Sequence, residues 1–495
     1  MATDNLGDVE SRLRKLIHDT SFYSIAVSLS SLLGLVSLLI FTRAFPPASY
    51  GRYASSAAIV AIVSTLLFGW LEQAVVRFTP EFENRKVIQN LLSVFTLVSG
   101  AFVLVAIGGY LLFGDSLGAY RLFFFPVVAL IVAQGFFQPL IMFFRGTLES
   151  RSVAKFRTFN AFGRLLISLV LALVVLNHIV GWLWGTALAI LGTIALMFIT
   201  TDELRVVPRI QKDVLRRMMS YGVPMIGFII GEPFLTQLDR ILLEVIRDSA
   251  SVGIYSSNYT LINQGLRLAY FPVLRAMQPI VVNEWDGDNE DEVGDIISNF
   301  SRYFVLLGIP VMVLGMGLGR PLSGLLLDQG YNQGYTIIPF VAGGVFFWGL
   351  ADAGQRGLEL KEATLTLSIG VLLAIGSNFL LNLPMIYYFG YMGAAAATLI
   401  SSGIYVVFVW YVSSRHINWS FPEHTIRNTV LAGTLMGLPP AAVYLTGSYT
   451  HVLVVAASLL GAPIYLTVVY VLGEFREDEI RAVSDLFDTV VGPLR

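Results

Sequence analysis

The sequence predicts an all-α polytopic membrane protein, and three observations carry that reading. Hydrophobic residues make up 55% of the 495 residues and charged residues only 13%, against about 25% charged in ordinary soluble domains. Mean hydropathy is +0.71. The apolar residues form continuous runs of membrane-spanning length, without the two-residue alternation of barrel strands. Lys and Arg segregate to alternate connections between those runs, as positive charge does in short cytoplasmic loops.

Taken in order, residues 1–20 carry Asp4, Asp8, Glu10, Arg12, Arg14 and Lys15, and no small-residue cleavage site follows the first apolar run. No cleavable signal peptide is expected. Leu6, Val9, Leu13, Leu16 and Ile17 recur at helical spacing, which predicts a short amphipathic helix on the inner membrane surface. Spans follow over 22–41, 54–76, 91–113, 122–144, 159–176 and 179–199. A basic connection with Arg205, Arg209, Lys212, Arg216 and Arg217 leads to spans 219–243, 252–277, 303–318, 335–351, 365–389 and 391–412. A last pair covers 429–445 and 452–472, before a tail with Ile480, Val483, Phe487 and Val490 at helical spacing. A spanning helix needs about 20 apolar residues. The expected count is fourteen, with twelve left open because 303–318, 335–351 and 429–445 are short.

With the N-terminus inside, the outer loops carry only Arg43, Arg52, Arg121, Arg240, Arg247 and Arg320 of the 32 Lys and Arg. The expectation is a plasma-membrane protein with both termini cytoplasmic. The chain also repeats itself. Gly51, Tyr53 and Ser55 fall on Gly253, Tyr255 and Ser257, Arg145-Gly146 on Arg356-Gly357, and Gly181 on Gly390, at nearly constant offsets. Six helices per repeat is an even number, so two six-helix bundles would run in parallel about a pseudo-two-fold axis along the membrane normal, with a site between them. The expected layout is an N-lobe at 1–212, a C-lobe at 213–414, and an added helix pair plus tail at 415–495.

The stretch Thr42-Arg43-Ala44-Phe45-Pro46-Pro47-Ala48-Ser49-Tyr50-Gly51-Arg52-Tyr53 resembles the first outer loop of the polysaccharide transporter family. Tyr221-Gly222-Val223-Pro224, Gln237-Leu238-Asp239-Arg240 and Val252-Gly253-Ile254-Tyr255 are similar to that family's seventh and eighth helices. The family belongs to the multidrug/oligosaccharidyl-lipid/polysaccharide exporter superfamily. The resemblance covers essentially the whole chain. It implies two six-helix bundles around a central cavity and a flippase for lipid-linked oligosaccharides in polysaccharide or glycoprotein assembly. It also implies partners: the lipid-linked glycan, membrane lipids, and a glycan polymerase, ligase or oligosaccharyltransferase.

Ionisable side chains inside spans are costly and mark cavities or partners. Arg267 lies deep in the eighth span and Arg164 about two turns into the fifth, while Arg77 and Arg275 sit at inner helix ends. Arginine forks match phosphate oxygens, which makes these four candidates for a lipid-linked phosphate. Arg77 and Arg275 are also near enough to the interface to snorkel, and Arg267 alternatively pairs with a buried acid. Glu72, Glu232, Asp239 and Asp352 are candidates for coupling H+ or Na+, with structural ion pairing or helix contacts as the alternative. Asp239 and Arg240 are adjacent and project about 100° apart, so Asp239 is expected to pair across helices. Gln134, Gln138, Asn160, Asn258, Asn263, Gln264, Asn378 and Asn382 suit sugar hydroxyls or interhelical hydrogen bonds. Pro224, Pro272 and Pro384 predict kinks.

Other chemistry is excluded or set aside. Cysteine is absent, which removes disulfides and thiolate sites. No Gly-Lys dipeptide exists for a P-loop and no His pair has zinc spacing. The Gly114–Gly118 match to a nucleophile elbow joins two spans with no strand before it. Asp286 to Asp295 look ion-binding, yet position six of such a loop would be Asp291 in place of Gly. Asn258-Tyr259-Thr260 is a sequon within a span. The expected protein is a transporter and not an enzyme, without cofactor, metal or nucleic-acid partner. Rival readings are a cation-coupled multidrug antiporter, a lipid II-type flippase, and a membrane glycosyltransferase. The last would need large extramembrane loops, and the longest here is about 25 residues. Five Lys against 27 Arg point to a GC-rich or archaeal genome, and an archaeal host would make the carrier of the dolichol type.

Overall fold

The computed structural model describes residues 31–285, 289–361, 363–447, 450–477, 479 and 481. Among these, every regular element is helical. The chain runs through α1 (Ser31–Ala44), α2 (Pro47–Phe78), α3 (Asn84–Phe113), α4 (Arg121–Gly146), α5 (Ser150–Leu169) and α6 (Val180–Thr200). It continues through α7 (Lys212–Gly222), α8 (Ile226–Ile229), α9 (Gly231–Ile246), α10 (Ser249–Glu284) and α11 (Glu290–Leu326). Then come α12 (Ile338–Gly354), α13 (Arg356–Leu360), α14 (Thr364–Phe389), α15 (Tyr391–Ser413), α16 (Glu423–Leu445) and α17 (His451–Val471). Nine helical stretches among the described residues are long and apolar enough to cross a membrane. The protein is therefore a multi-pass helical membrane protein. The terminal amphipathic segments, and Asp286 and Asp288 of the acidic loop, lie outside the described residues.

Two compact units are resolved. One comprises Met1–Gln264, Leu327–Gly334 and Ala374–Ala397, the other Gly265–Leu326, Tyr335–Leu373 and Thr398–Arg495. These units follow packing and cut through single helices, so they do not bear on lobe boundaries at 212 and 414.

In the first unit α2 packs along α4, α5 along α6, and α9 against α2. The glycines that the repeat pairs meet here. A side chain on Gly51 of α2 would overlap the Ser249 carbonyl, and one on Gly253 of α10 would overlap the Pro47 carbonyl. Only hydrogen at both positions permits this approach. Trp182 stacks between Phe41, at 3.8 Å, and Tyr53, at 4.2 Å. The seventh span is broken: α7 ends at Gly222, and Pro224, Gly227, Gly231 and Pro233 follow within the next eleven residues. The kink expected at Pro224 thus lies at a break, whereas Pro384 sits inside the continuous α14, and α10 runs unbroken across position 272.

In the second unit α11 packs against α12, α16 and α17. Pro310 and Pro321 lie inside α11, and each removes the N–H that would bond the carbonyl four residues earlier. Those carbonyls belong to Leu306 and Gly317. The Tyr465 hydroxyl of α17 donates to Leu306 O at 2.8 Å, and the Tyr444 hydroxyl of α16 donates to Gly317 O at 3.1 Å. Tyr270 of α10 donates to Gly308 O at 2.9 Å. The last helix pair is thereby tied to the two places where α11 needs partners.

Candidate functional site

Arg164 and its surroundings are built by α5. A helix begins at Ser150, nine residues before the apolar run at 159, so Arg157 belongs to it as well. Lys155 and Arg157 lower the local hydropathy, which is why the run hides this helical turn. At 100° per residue, Arg157, Asn160, Arg164 and Ser168 share one face. Asn160 and Ser168 are buried, and Asn160 Nδ2 donates to Thr193 Oγ1 of α6 at 3.3 Å. Phe159, Phe162 and Leu166 are exposed on the opposite face, as lipid-facing side chains are. Arg164 is exposed although it lies on the protein-facing side.

Asp239 sits elsewhere in the same unit. It is 2% exposed; the Tyr255 hydroxyl donates to Oδ2 and the Asn382 amide to Oδ1, each at 2.7 Å. Asn382 also donates to Asn378 Oδ1 at 2.9 Å. The expected partnering across helices is what the geometry shows: α10 and α14 supply the donors. Arg240 turns away, donating to Ser256 Oγ at 3.1 Å, Gln237 Oε1 at 2.8 Å and the Thr236 carbonyl, with its guanidinium over the Tyr259 ring. Asn258 is buried too and donates to Tyr331 O at 2.9 Å, which takes the sequon out of reach. Glu244, passed over in the sequence, accepts from Ser55 at 3.1 Å and Ser249 at 2.6 Å.

The remaining candidates are spread out. Arg77 is exposed and pairs at 3.7 Å with Glu81, which also meets Arg217 of α7 at 2.5 Å. Asp352, in the second unit, accepts from Arg356 at 2.9 and 3.0 Å and from Gln355 at 2.8 Å. Gln355 in turn accepts from the Tyr405 hydroxyl at 2.9 Å, and Arg356 also meets Glu359 at 2.6 Å. Arg267 and Arg275 are carried by α10 and Glu232 by α9, and their side chains lie outside what is described. The structure therefore brings Arg164 and Glu72 onto helices of one unit and leaves Asp352 in the other.

One polar cluster had no signal in the apolar pattern because it forms around a residue beyond the last span. Glu474 is 5% exposed and accepts from Thr425 at 2.9 Å and Asn428 at 2.7 Å, with His424 at 3.0 Å. Arg302 bonds the Glu474 carbonyl and reaches Glu479 at 2.6 Å. That contact pulls the Glu479 carboxyl down to about 2. Among the described residues no group of three or more His, Cys, Asp or Glu is placed to hold a metal ion.

The helices long and apolar enough to cross a membrane define the class as a multi-pass helical membrane protein. The chain belongs to the polysaccharide biosynthesis protein family, whose model matches residues 16–283, more than half of its length. The probable low-salt glycan biosynthesis flippase Agl15 of Haloferax volcanii is 20% identical over 274 residues, 53% of this chain and 56% of that relative. The match thus spans little more than half the length of this relative. The lipid II flippase MurJ in an inward closed conformation superposes with a TM-score of 0.67 at 16% identity, covering 91% of this chain and 98% of that one. An inward-facing multidrug resistance MATE transporter of the MOP superfamily gives 0.60 at 9% identity, covering 79% and 94%. At such identities the likeness speaks for the fold alone.

Proposed function

We propose that this protein is a flippase for an oligosaccharide linked to a polyprenyl phosphate or diphosphate. It carries the glycan from the inner to the outer leaflet of the cytoplasmic membrane, for polysaccharide or glycoprotein assembly. The observation that carries the reading is Arg164, accessible on the protein-facing side of α5 in a member of the polysaccharide biosynthesis family. A phosphate entering a low-dielectric pathway needs fixed positive charge, and an arginine fork supplies it with matching geometry. Arg267, Arg77 and Arg275 complete the proposed cationic set. Both termini are cytoplasmic in this reading, fourteen helices form two parallel six-helix lobes and an added pair, and transport proceeds by alternating access without covalent chemistry. The mutual approach of Gly51 and Gly253 supports a two-fold relation between the lobes. H+ or Na+ coupling is assigned to Asp239 first, because it is buried and held by Tyr255 and Asn382. Glu72, Glu232 and Asp352 are the other coupling candidates. A polymerase, ligase or oligosaccharyltransferase would take the product on the outer side.

The test is a reconstituted one. Proteoliposomes holding the full chain should move a labelled polyprenyl-diphosphate oligosaccharide between leaflets, and Arg164→Ala should slow this at least tenfold while the protein stays folded. Export of cationic dyes with no movement of the glycolipid would replace the proposal with a multidrug antiporter.

A further inference from the structure

The basic connection from α6 to the broken seventh span carries five cations, and the structure divides them. Arg205 meets Asp202 at 2.9 Å, and Arg217 meets Glu81 at 2.5 Å with its guanidinium over the Phe82 ring. Arg209, Lys212 and Arg216 are exposed, and none of the three forms an ion pair with another described residue. α7 is fixed by its other face. Val214, Met218 and Gly222, four residues apart, are buried. A side chain on Gly222 would overlap the Trp70 carbonyl of α2, and Tyr221 stands edge-on to Phe78 at 5.7 Å. Just before α7, Gln211 donates from its backbone N–H to Asn90 Oδ1 at 2.9 Å and from its amide to Gln89 Oε1 at 3.2 Å. The helix is thereby held against the last turns of α2 and the first of α3. Its opposite side presents Lys212, Arg216, Met219 and Val223, all exposed. At 100° per residue these four fall within about 60° of one another, while Asp213, the one acid of α7, projects about 100° from Lys212. The stripe is cationic where α7 starts and apolar where the chain enters the seventh span.

We infer that this face of α7, together with Arg209, is a binding surface for anionic phospholipid headgroups. Two features of the stripe select that partner. Cations without a described protein counter-charge call for negative charge at one end, and exposed Met219 and Val223 call for hydrocarbon at the other. A phosphate headgroup joined to acyl chains supplies both, in that order. An acidic soluble protein would supply only the first. The position agrees, because α7 lies at the ends of spanning helices, where headgroups lie. α7 also runs directly into the break that begins after Gly222. Headgroups held by Lys212 and Arg216 therefore fix the level in the membrane at which the seventh span starts.

The experiment titrates the full chain in detergent micelles with spin-labelled phosphatidylglycerol, using spin-labelled phosphatidylcholine as the zwitterionic control. Lys212→Gln and Arg216→Gln are each expected to weaken phosphatidylglycerol binding about fivefold, and the double variant about tenfold or more, with phosphatidylcholine unchanged. Lys212→Arg should bind like wild type, and added salt should weaken wild-type binding. Arg151→Gln removes an exposed cation from α5 and should leave binding as it is, which separates this surface from positive charge in general. Thermal unfolding of each variant separates lost binding from lost fold. Wild-type binding of phosphatidylglycerol by the folded double variant, or an equal loss in Arg151→Gln, overturns the inference. Displacement of phosphatidylglycerol by a substoichiometric amount of polyprenyl phosphate overturns it as well, and makes the face a substrate station. The readout is lipid binding and does not depend on the flippase reading: a protein that binds phosphatidylglycerol here yet moves no glycolipid keeps this inference and loses that one.

Discussion

At the residue scale, the charges inside spans divide into those held by partners and those left accessible. Asp239 is fully engaged with Tyr255 and Asn382, so Asp239→Ala should strand two buried donors and cost about 1–3 kcal/mol in thermal stability. Asp239→Asn separates the roles, since it preserves volume. If Asp239 carries the coupling ion, transport by the Asn variant loses its dependence on the H+ or Na+ gradient; if it is structural, only the melting temperature falls. The tail contact makes a pH prediction. Glu479 is held down to about 2 by the Arg302 hydrogen bond, from an ordinary value of 4.5. A lowered carboxyl contributes its full stabilisation above the ordinary value, and loses it as pH falls through the folded one. Proteolytic protection around Glu474–Glu479 should thus be constant from pH 5 to 8 and decline only below about 4.5. Arg302→Ala should abolish it at neutral pH. Sequence reasoning reached Asp239 and Arg164 because a charge inside an apolar run stands out. It missed Glu474 because burial there is created by α11 and α16, which no local pattern reports.

At the element scale, helix existence was legible and helix limits were not. The run at 303–318 looked too short to span, yet α11 extends over Glu290–Leu326. Pro310 and Pro321 interrupt the pattern without ending the helix, since Tyr465 and Tyr444 take over the freed carbonyls. Such compensation comes from elements more than a hundred residues away and is invisible to a window. Tyr465→Phe should leave the Leu306 carbonyl unpaired away from water, lowering stability by about 1–2 kcal/mol without altering the glycan bound. Gly51→Val and Gly253→Val should each force α2 and α10 apart, at about 1–3 kcal/mol by overpacking. Melting temperature in detergent checks all three, and equal costs at the two glycines would fit the repeat that pairs them.

At the scale of the whole molecule, composition and charge segregation were sufficient for the fold class, because a bilayer leaves helices few alternatives. The family resemblance rested on the stretch 42–53 and the motifs at 221–224, 237–240 and 252–255, and the family match over residues 16–283 covers those same segments. What the sequence left open is how the polar groups meet, since Asp239 and Asn382 are over a hundred residues apart and converge only by folding. The central claim is that Arg164, accessible on α5, helps carry a lipid-linked phosphate between leaflets. The most direct measurement assays lipid-linked glycan on each leaflet in a strain deleted for this protein and complemented with wild type or Arg164→Ala. The account predicts completed glycolipid accumulating on the inner leaflet, cleared by wild type and retained with a folded Arg164→Ala. Normal leaflet distribution in the deletion strain, or full rescue by Arg164→Ala, would contradict it.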